Sequence, residues 1–462
     1  MEEVELRRRR TRRGRERSSV RRNRELRLGD VSEAAVPARN ANAGVVALIM
    51  TSMAVPSSLT FYIGDSKFYA ARLMVSILFI PALLQMFGKG RRFVACDAFA
   101  LLVGAWMVAA PIIGGRYESL SSAQALVVEF LGGYFVARGF ILGRAAVEGF
   151  VKALKVLVAI AVAAAMLDHI SGRLLLNSLI GPIIGMHLAW EPEYRGSLLR
   201  AMSIFPHPIL YGAFCTVSGA LFIYARQWTF VGVSILGCVL AMSSAPLLVF
   251  GIVIAVYCYD ALLHRYAWRW RAFTAMVACF FAYIWIVTEH PLSWIIANLT
   301  FDPATGYFRM GTWDRAFYNI GLSPLTGYGF DEIGFSVEKD VFDIATVDAV
   351  WLVMPLRFGI PIIPLLLLAN ISAYFGGAGK RGRQPPRDDD MQNLGTGFTL
   401  AIWVFMLVGL TVHFWNAMWL LWGVILGIRA GFKEDAAAAR TNAGAYVTGG
   451  MSPLAAGDLA AE

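Results

Sequence analysis

Arg200 and His207 stand seven residues apart in RAMSIFPHPILYGAF, Arg200 to Phe214. Arginine offers a planar fork of donors and keeps its charge, so it suits a phosphate group. Histidine, or a carboxylate raised by desolvation, can take a proton from a hydroxyl near neutral pH. Farther along, Arg309 and Arg315 lie in FRMGTWDRAFYNIG, and Asp348 in TVDAVWLVMPLRFGIP. Arg200, Arg309 and Arg315 are therefore candidates for holding phosphate. Asp348 is the preferred proton acceptor and His207 the alternative.

Three further charges, Glu129, Arg138 and Arg357, sit inside apolar stretches. Charges there are costly, so each marks either a functional site or an ion pair within a bundle. Glu129 and Arg138 are about 2.5 helical turns apart and so cannot pair along one face. No carboxylates cluster as a divalent-cation site would need. The five cysteines form no CxxC pair, which leaves them as small packing residues and predicts no metal and no cofactor.

The elements that must position these groups are long apolar runs. The 462-residue chain is 57% hydrophobic and 16% charged, where a soluble chain carries about 25% charged residues. Its mean hydropathy is +0.58. Runs such as Ala41 to Gly64, Ala98 to Gly115 and Ala201 to Ala225 hold no charged residue. A helix needs about 20 apolar residues to cross a bilayer, and the alternation of a membrane barrel is missing. The fold class expected is an all-α integral membrane protein. Two runs, Gln227 to Tyr259 and Leu394 to Ile428, are too long for one crossing and break at SSAP (Ser243 to Pro246) and near His413. Twelve spans result, over 43–63, 70–88, 94–114, 120–142, 150–168, 207–225, 228–245, 246–263, 272–289, 349–374, 394–412 and 413–429.

With both termini cytoplasmic, 30 of the 41 Lys+Arg fall on the inner side, as the positive-inside rule asks. The net charge of +9 is then mostly topology and points to no nucleic acid. Residues 1–41 form an Arg-rich tail and 430–462 a C-terminal tail, both expected to be disordered and cytoplasmic, around a membrane domain at 42–429. Two long external loops remain, about 168–206 and 290–348. Within the second, Phe308, Met310, Trp313, Phe317 and Ile320 are spaced for an amphipathic helix on the outer surface. SPLTGYGF, Ser323 to Phe330, ends it in a turn.

The order of these parts carries a resemblance over roughly Arg200 to Gly359. An Arg–x6–His–Pro opening precedes a span and an SSAP turn. A large external loop with Arg309, Trp313 and SPLTGYGF follows, and then a span beginning TVDAVWLVMPLRFGIP. This resembles the bacterial O-antigen ligase and polymerase-related membrane proteins, which include exopolysaccharide polymerases. The resemblance implies a GT-C-like membrane glycosyltransferase of the bacterial inner membrane. Its donor is an undecaprenyl-pyrophosphate-linked oligosaccharide, and its partners are the bilayer, a flippase and a chain-length regulator. Arg200 and Arg309 match the loop arginines that hold pyrophosphate, with Arg315 as a second possibility for the latter. Tyr328 and Gly329 fall in the glycine turn. Ligases of this family carry a histidine late in the second loop. Here no histidine lies between His290 and His413, which favours the polymerase branch over a ligase. A multi-pass transporter or flippase is the alternative from another class, though no repeat relates the two halves.

Overall fold

The computed structural model describes residues 43–57, 59–64, 66–88, 90–176, 178–179, 192–288, 303–330, 347–374 and 389–448. For 303–310, 389 and 439–448 it describes the backbone alone. The 1–41 tail lies outside these residues; of the 430–462 segment, expected to be disordered, residues 430–448 instead continue the last helix, with Ala430, Phe432 and Glu434 buried. Parts of both long loops lie outside them too.

Fourteen α-helices run through the described residues: α1 (Ala43–Ala54), α2 (Ala70–Met86), α3 (Ala95–Ile113), α4 (Leu120–Phe140), α5 (Gly143–Ser171), α6 (Pro208–Tyr224), α7 (Trp228–Ala241), α8 (Ser244–Leu262), α9 (Arg269–Val287), α10 (Pro303–Leu322), α11 (Val350–Phe358), α12 (Ile362–Ser372), α13 (Asp389–Val408) and α14 (Ala417–Thr448). Two short antiparallel hairpins join them, β1–β2 (Thr60–Ile63 with Ser66–Tyr69) and β3–β4 (Tyr194–Arg195 with Leu198–Leu199). Six helical stretches are long and apolar enough to cross a bilayer: α3, α4 with the 3-10 turn before it, α5, α8, α9 and α13 from Asp390. The helix α9 buries only Ile284 and exposes Trp285 at 72% and Ile286 at 83%. A helix apolar on its outward faces belongs in hydrocarbon. The fold is that of a multi-pass helical membrane protein.

Each predicted span contains helix, but two differ in form. The segment 43–63 is helical only to Ala54; Val55 onward leads into the β1–β2 hairpin, where Thr, Phe, Tyr and Ile favour extended backbone. The segment 349–374 is two helices, α11 and α12. Gly359, at φ +74°, ends the first. A β-carbon there would lie 1.9 Å from the Leu325 carbonyl oxygen, so the SPLTGYGF loop is pressed against the break. The break at SSAP appears as expected: Met242 adopts φ +47° after α7, and Ser243 precedes α8.

Core packing centres on α4 against α14. Gly423 and Gly427, four residues apart, lie over the backbone of Phe130 and Tyr134: β-carbons on them would meet those carbonyl oxygens at 2.1 and 2.4 Å. Small residues at this spacing let two helices approach closely where the solvent is lipid. Trp419 and Trp422, both fully buried, stack on each other and pack edge-on to Phe130.

The predicted amphipathic helix is α10. Trp313, Ala316 and Ile320 are buried against Ala349, Leu352 and Leu356 of the α11 region. Phe317, expected on the same face, is 49% exposed, because Ala316 is the residue that fits between the two helices. Cys96, Cys215 and Cys238 are buried packing residues, whereas Cys258 and Cys279 are exposed.

Candidate functional site

The β3–β4 hairpin builds the first half of the site. Gly196 takes φ +63° and with Ser197 closes a two-residue turn. The ladder then sets Glu193 across from Arg200, whose N–H donates to the Glu193 carbonyl at 2.9 Å. Their side chains also pair, Arg200 Nη1 with Glu193 Oε2. Arg195 Nη1 donates to the Met242 carbonyl at 2.8 Å and fastens the hairpin to the α7–α8 turn.

His207 joins this pair. It is the N-cap of α6, with Pro208 in the first turn, where a missing N–H costs nothing. Its Nδ1 accepts from the Ile209 N–H at 3.1 Å. The ring proton therefore sits on Nε2, 2.9 Å from Glu193 Oε1. Both ring nitrogens are thus engaged. The His207 hydrogen bond, more than burial opposes it, holds the Glu193 carboxyl below its ordinary value, with Arg200 adding to the effect. Burial lowers the Arg200 guanidinium, while the Glu193 charge resists.

The second half comes from the turn between α13 and α14 and from α11. Trp415 stands between two imidazoles, 5.9 Å from His207 and 5.7 Å from His413 by ring centroids. The Val350 N–H donates to the Val412 carbonyl at 3.1 Å, so the start of α11 is tied beside His413. Asp348 is exposed two residues before that start. Arg357 lies at the far end of α11, its guanidinium 4.2 Å above the Phe330 ring. Arg200, His207 and the start of α11 beside Asp348 are thus linked through Glu193, Trp415 and the 412–415 turn; Arg357, at the other end of α11, is not among these contacts.

The other predicted residues take no part in these contacts. Arg315 is exposed on α10, and its carbonyl accepts from Asn319 at 2.8 Å. Arg309 is on the same helix, with its side chain outside the described residues. Glu129 accepts from Tyr69 at 2.8 Å and from Arg72 Nη2 at 2.5 Å. Arg138 pairs with Asp97 at 2.8 Å and with Glu434 at 2.6 Å, while Arg91 reaches Glu434 at 2.8 Å. These are ion pairs within the bundle, so Glu129 and Arg138 take the structural role. Trp415 precedes α14, and the Arg138 network meets that helix at Glu434, near its middle. The helix from Ala417 to Glu434 rises about 26 Å at about 1.5 Å per residue, close to the hydrocarbon thickness of about 30 Å.

Sequence reasoning missed Glu193, His413 and Trp415. Glu193 had a local signal: the Gly196-Ser197 pair between Tyr194–Arg195 and Leu198–Leu199 reads as a two-residue hairpin turn, and it would have placed Glu193 opposite Arg200. His413 had none. Among the described residues no three of His, Cys, Asp and Glu gather as a metal ligand set. No family model, curated protein or solved structure matches the chain.

Proposed function

We propose that this multi-pass membrane protein polymerises undecaprenyl-pyrophosphate-linked oligosaccharide units at the outer face of the bacterial inner membrane, building a surface polysaccharide. The finer picture is a GT-C-like enzyme of twelve spans with both termini cytoplasmic, working beside a flippase and a chain-length regulator. One observation supports it above the rest. The two stretches that carry the resemblance, Arg200 to Pro208 and Ser323 to Gly359, are more than a hundred residues apart. They are joined through the His207–Trp415–His413 contacts and the Val350–Val412 bond.

In this reading the acceptor hydroxyl oxygen bonds to the anomeric carbon of the donor as that carbon's bond to the pyrophosphate oxygen breaks. The hydroxyl proton passes to the Asp348 carboxylate, and the lipid pyrophosphate leaves as an anion. The leaving group is weakly basic, so it needs charge neutralisation more than a proton, and Arg200, Arg309 and Arg315 supply it. Asp348, exposed just before α11, is the preferred base, with His207 the alternative. Attachment of finished glycan to another acceptor would use the same parts.

The test is elongation by the purified chain of a lipid-pyrophosphate oligosaccharide. Arg200→Ala should insert normally and lose at least about tenfold in rate, with Arg200→Lys recovering part of it, since lysine lacks the fork. Full elongation by both variants removes the phosphate role of Arg200. The α11–α12 break favours transport, because discontinuous helices line many transporter sites. Movement of the lipid-linked glycan across vesicles without elongation would choose that reading.

A further inference from the structure

The turn between α8 and α9, residues 263–268, carries more positive charge than its own stretch of chain answers. From Tyr224 to Arg271 there are four arginines and one carboxylate, Asp260. That carboxylate is already used. Its Oδ1 accepts from Arg269 Nε at 2.5 Å and its Oδ2 from the Tyr224 hydroxyl at 3.1 Å. Arg269 also donates to the His264 carbonyl at 3.2 Å, and its own carbonyl accepts from the Tyr259 hydroxyl at 2.7 Å. Arg269 therefore closes the turn from within.

Arg265 and Arg271 are left on the outside of it. Both are exposed, and among the described residues neither has a carboxylate partner. Three large rings stand beside them in the chain: Tyr266 is 50% exposed, Trp268 52% and Trp270 38%. Tyr266 and Trp268 pack on each other at 5.4 Å. Both flanking helices are long and apolar enough to cross a bilayer, so the turn between them lies at a membrane surface. Rings with an apolar body and a polar edge favour that layer. Long arginine side chains keep their heads in it while their stems cover apolar surface.

The α6–α7 turn, residues 225–227, repeats the pattern beside it. Arg226 is exposed and, among the described residues, also lacks a carboxylate partner. Trp228 is 55% exposed. Tyr257 joins the two turns, edge-on to Tyr224 at 5.4 Å and to Trp228 at 5.6 Å, and the Tyr224–Asp260 bond does the same. Arg226, Arg265 and Arg271 with their indoles thus form one rim. It lies at the end of α6 remote from His207, about 25 Å along a helix of 17 residues.

We propose that this rim binds anionic phospholipid, its arginines taking the phosphodiester headgroups of phosphatidylglycerol or cardiolipin. A zwitterionic headgroup brings its own cation and gains less from the same three charges. The surroundings favour lipid over a soluble acidic partner: α9 buries only Ile284 along its length, so hydrocarbon reaches up to the turn. The inference stands apart from the polymerase reading.

Photocrosslinking on the purified full chain tests it. Phosphatidylcholine nanodiscs receive a trace of photoactivatable phosphatidylglycerol or photoactivatable phosphatidylcholine with the same acyl chains, and the crosslinks are mapped to peptides. In wild type the glycerol lipid should label 225–228 and 262–271 at least about tenfold more than the choline lipid. Arg265→Gln or Arg271→Gln should each reduce that excess by up to about fivefold, the weight of one arginine at a charged membrane surface. The triple change Arg226→Gln, Arg265→Gln and Arg271→Gln should bring the two lipids level. Arg265→Lys should keep most of the excess, because charge carries it, and salt at about 1 M should shrink it. Arg144→Gln should match wild type, since Arg144 already has Glu148 at 2.7 Å. Where the triple variant fails to accumulate, the single variants carry the test. Equal labelling by both lipids in wild type overturns the proposal and leaves the arginines to an acidic protein segment. An excess that survives the triple change, or one confined to residues 1–41, overturns it as well.

Discussion

Glu193 Oε1 lies 2.9 Å from His207 Nε2, while its other oxygen pairs with Arg200. One carboxylate therefore holds together the two residues whose spacing first drew attention. It also determines the tautomer of the histidine.

That pairing has a pH signature. The folded state holds the Glu193 carboxyl below its ordinary value, so around pH 4 it binds fewer protons than the unfolded chain. The stabilisation is present above the unfolded value of about 4.3 and is lost as pH falls through the folded one. Glu193→Gln should lower the thermal midpoint at pH 7, by the equivalent of about 1 kcal/mol or less, since the carboxylate is 38% exposed. Its difference from wild type should shrink toward pH 4. A constant difference over that range would rule out the Glu193 carboxylate as the cause.

Asp348→Asn keeps size and most hydrogen bonding but removes basicity. The variant should bind lipid-pyrophosphate donor normally and elongate it at least about a hundredfold more slowly, the low end of general-base contributions. Elongation at the wild-type rate across the pH range would transfer the role to His207, for which His207→Gln is the matching variant.

Gly359 should not tolerate a side chain. Its φ of +74° and the Leu325 carbonyl, 1.9 Å from a β-carbon, both act against alanine. Gly359→Ala should cost about 1–3 kcal/mol or more, read as reduced accumulation and a lower thermal midpoint. Gly251, with no neighbouring heavy atom within 4 Å of a β-carbon, is the control and should accept alanine with little change.

Arg138→Gln leaves Asp97 with its Tyr134 hydroxyl contact but without its guanidinium partner. Removing one partner of a buried pair costs about 3–5 kcal/mol. The expected result is a large drop in thermal midpoint in detergent. A midpoint within a degree or two of wild type would show that the network contributes nothing to folding.

Most of the helical segmentation was legible in the sequence, for a local reason. Each long apolar run carries its own requirement for internal backbone hydrogen bonding, and charges or turn residues mark where it stops. The helix α10 was legible as well, because a 3.6-residue period needs no knowledge of what it packs against. Even so, only the structure decided that Ala316 and not Phe317 enters the contact with α11. The break at Gly359 was not legible: the proline and glycine on either side of Arg357 read as one span, and the loop that presses on the break lies about thirty residues earlier. The site was legible in part. Arg200, His207, Asp348 and Arg357 announce themselves by residue type. Their partners do not, since an ion pair is set by proximity in space and leaves no trace in spacing. Glu434 lies 296 residues from the arginine it neutralises. Val412 reaches Val350 only because α13 and α14 return the chain to the start of α11.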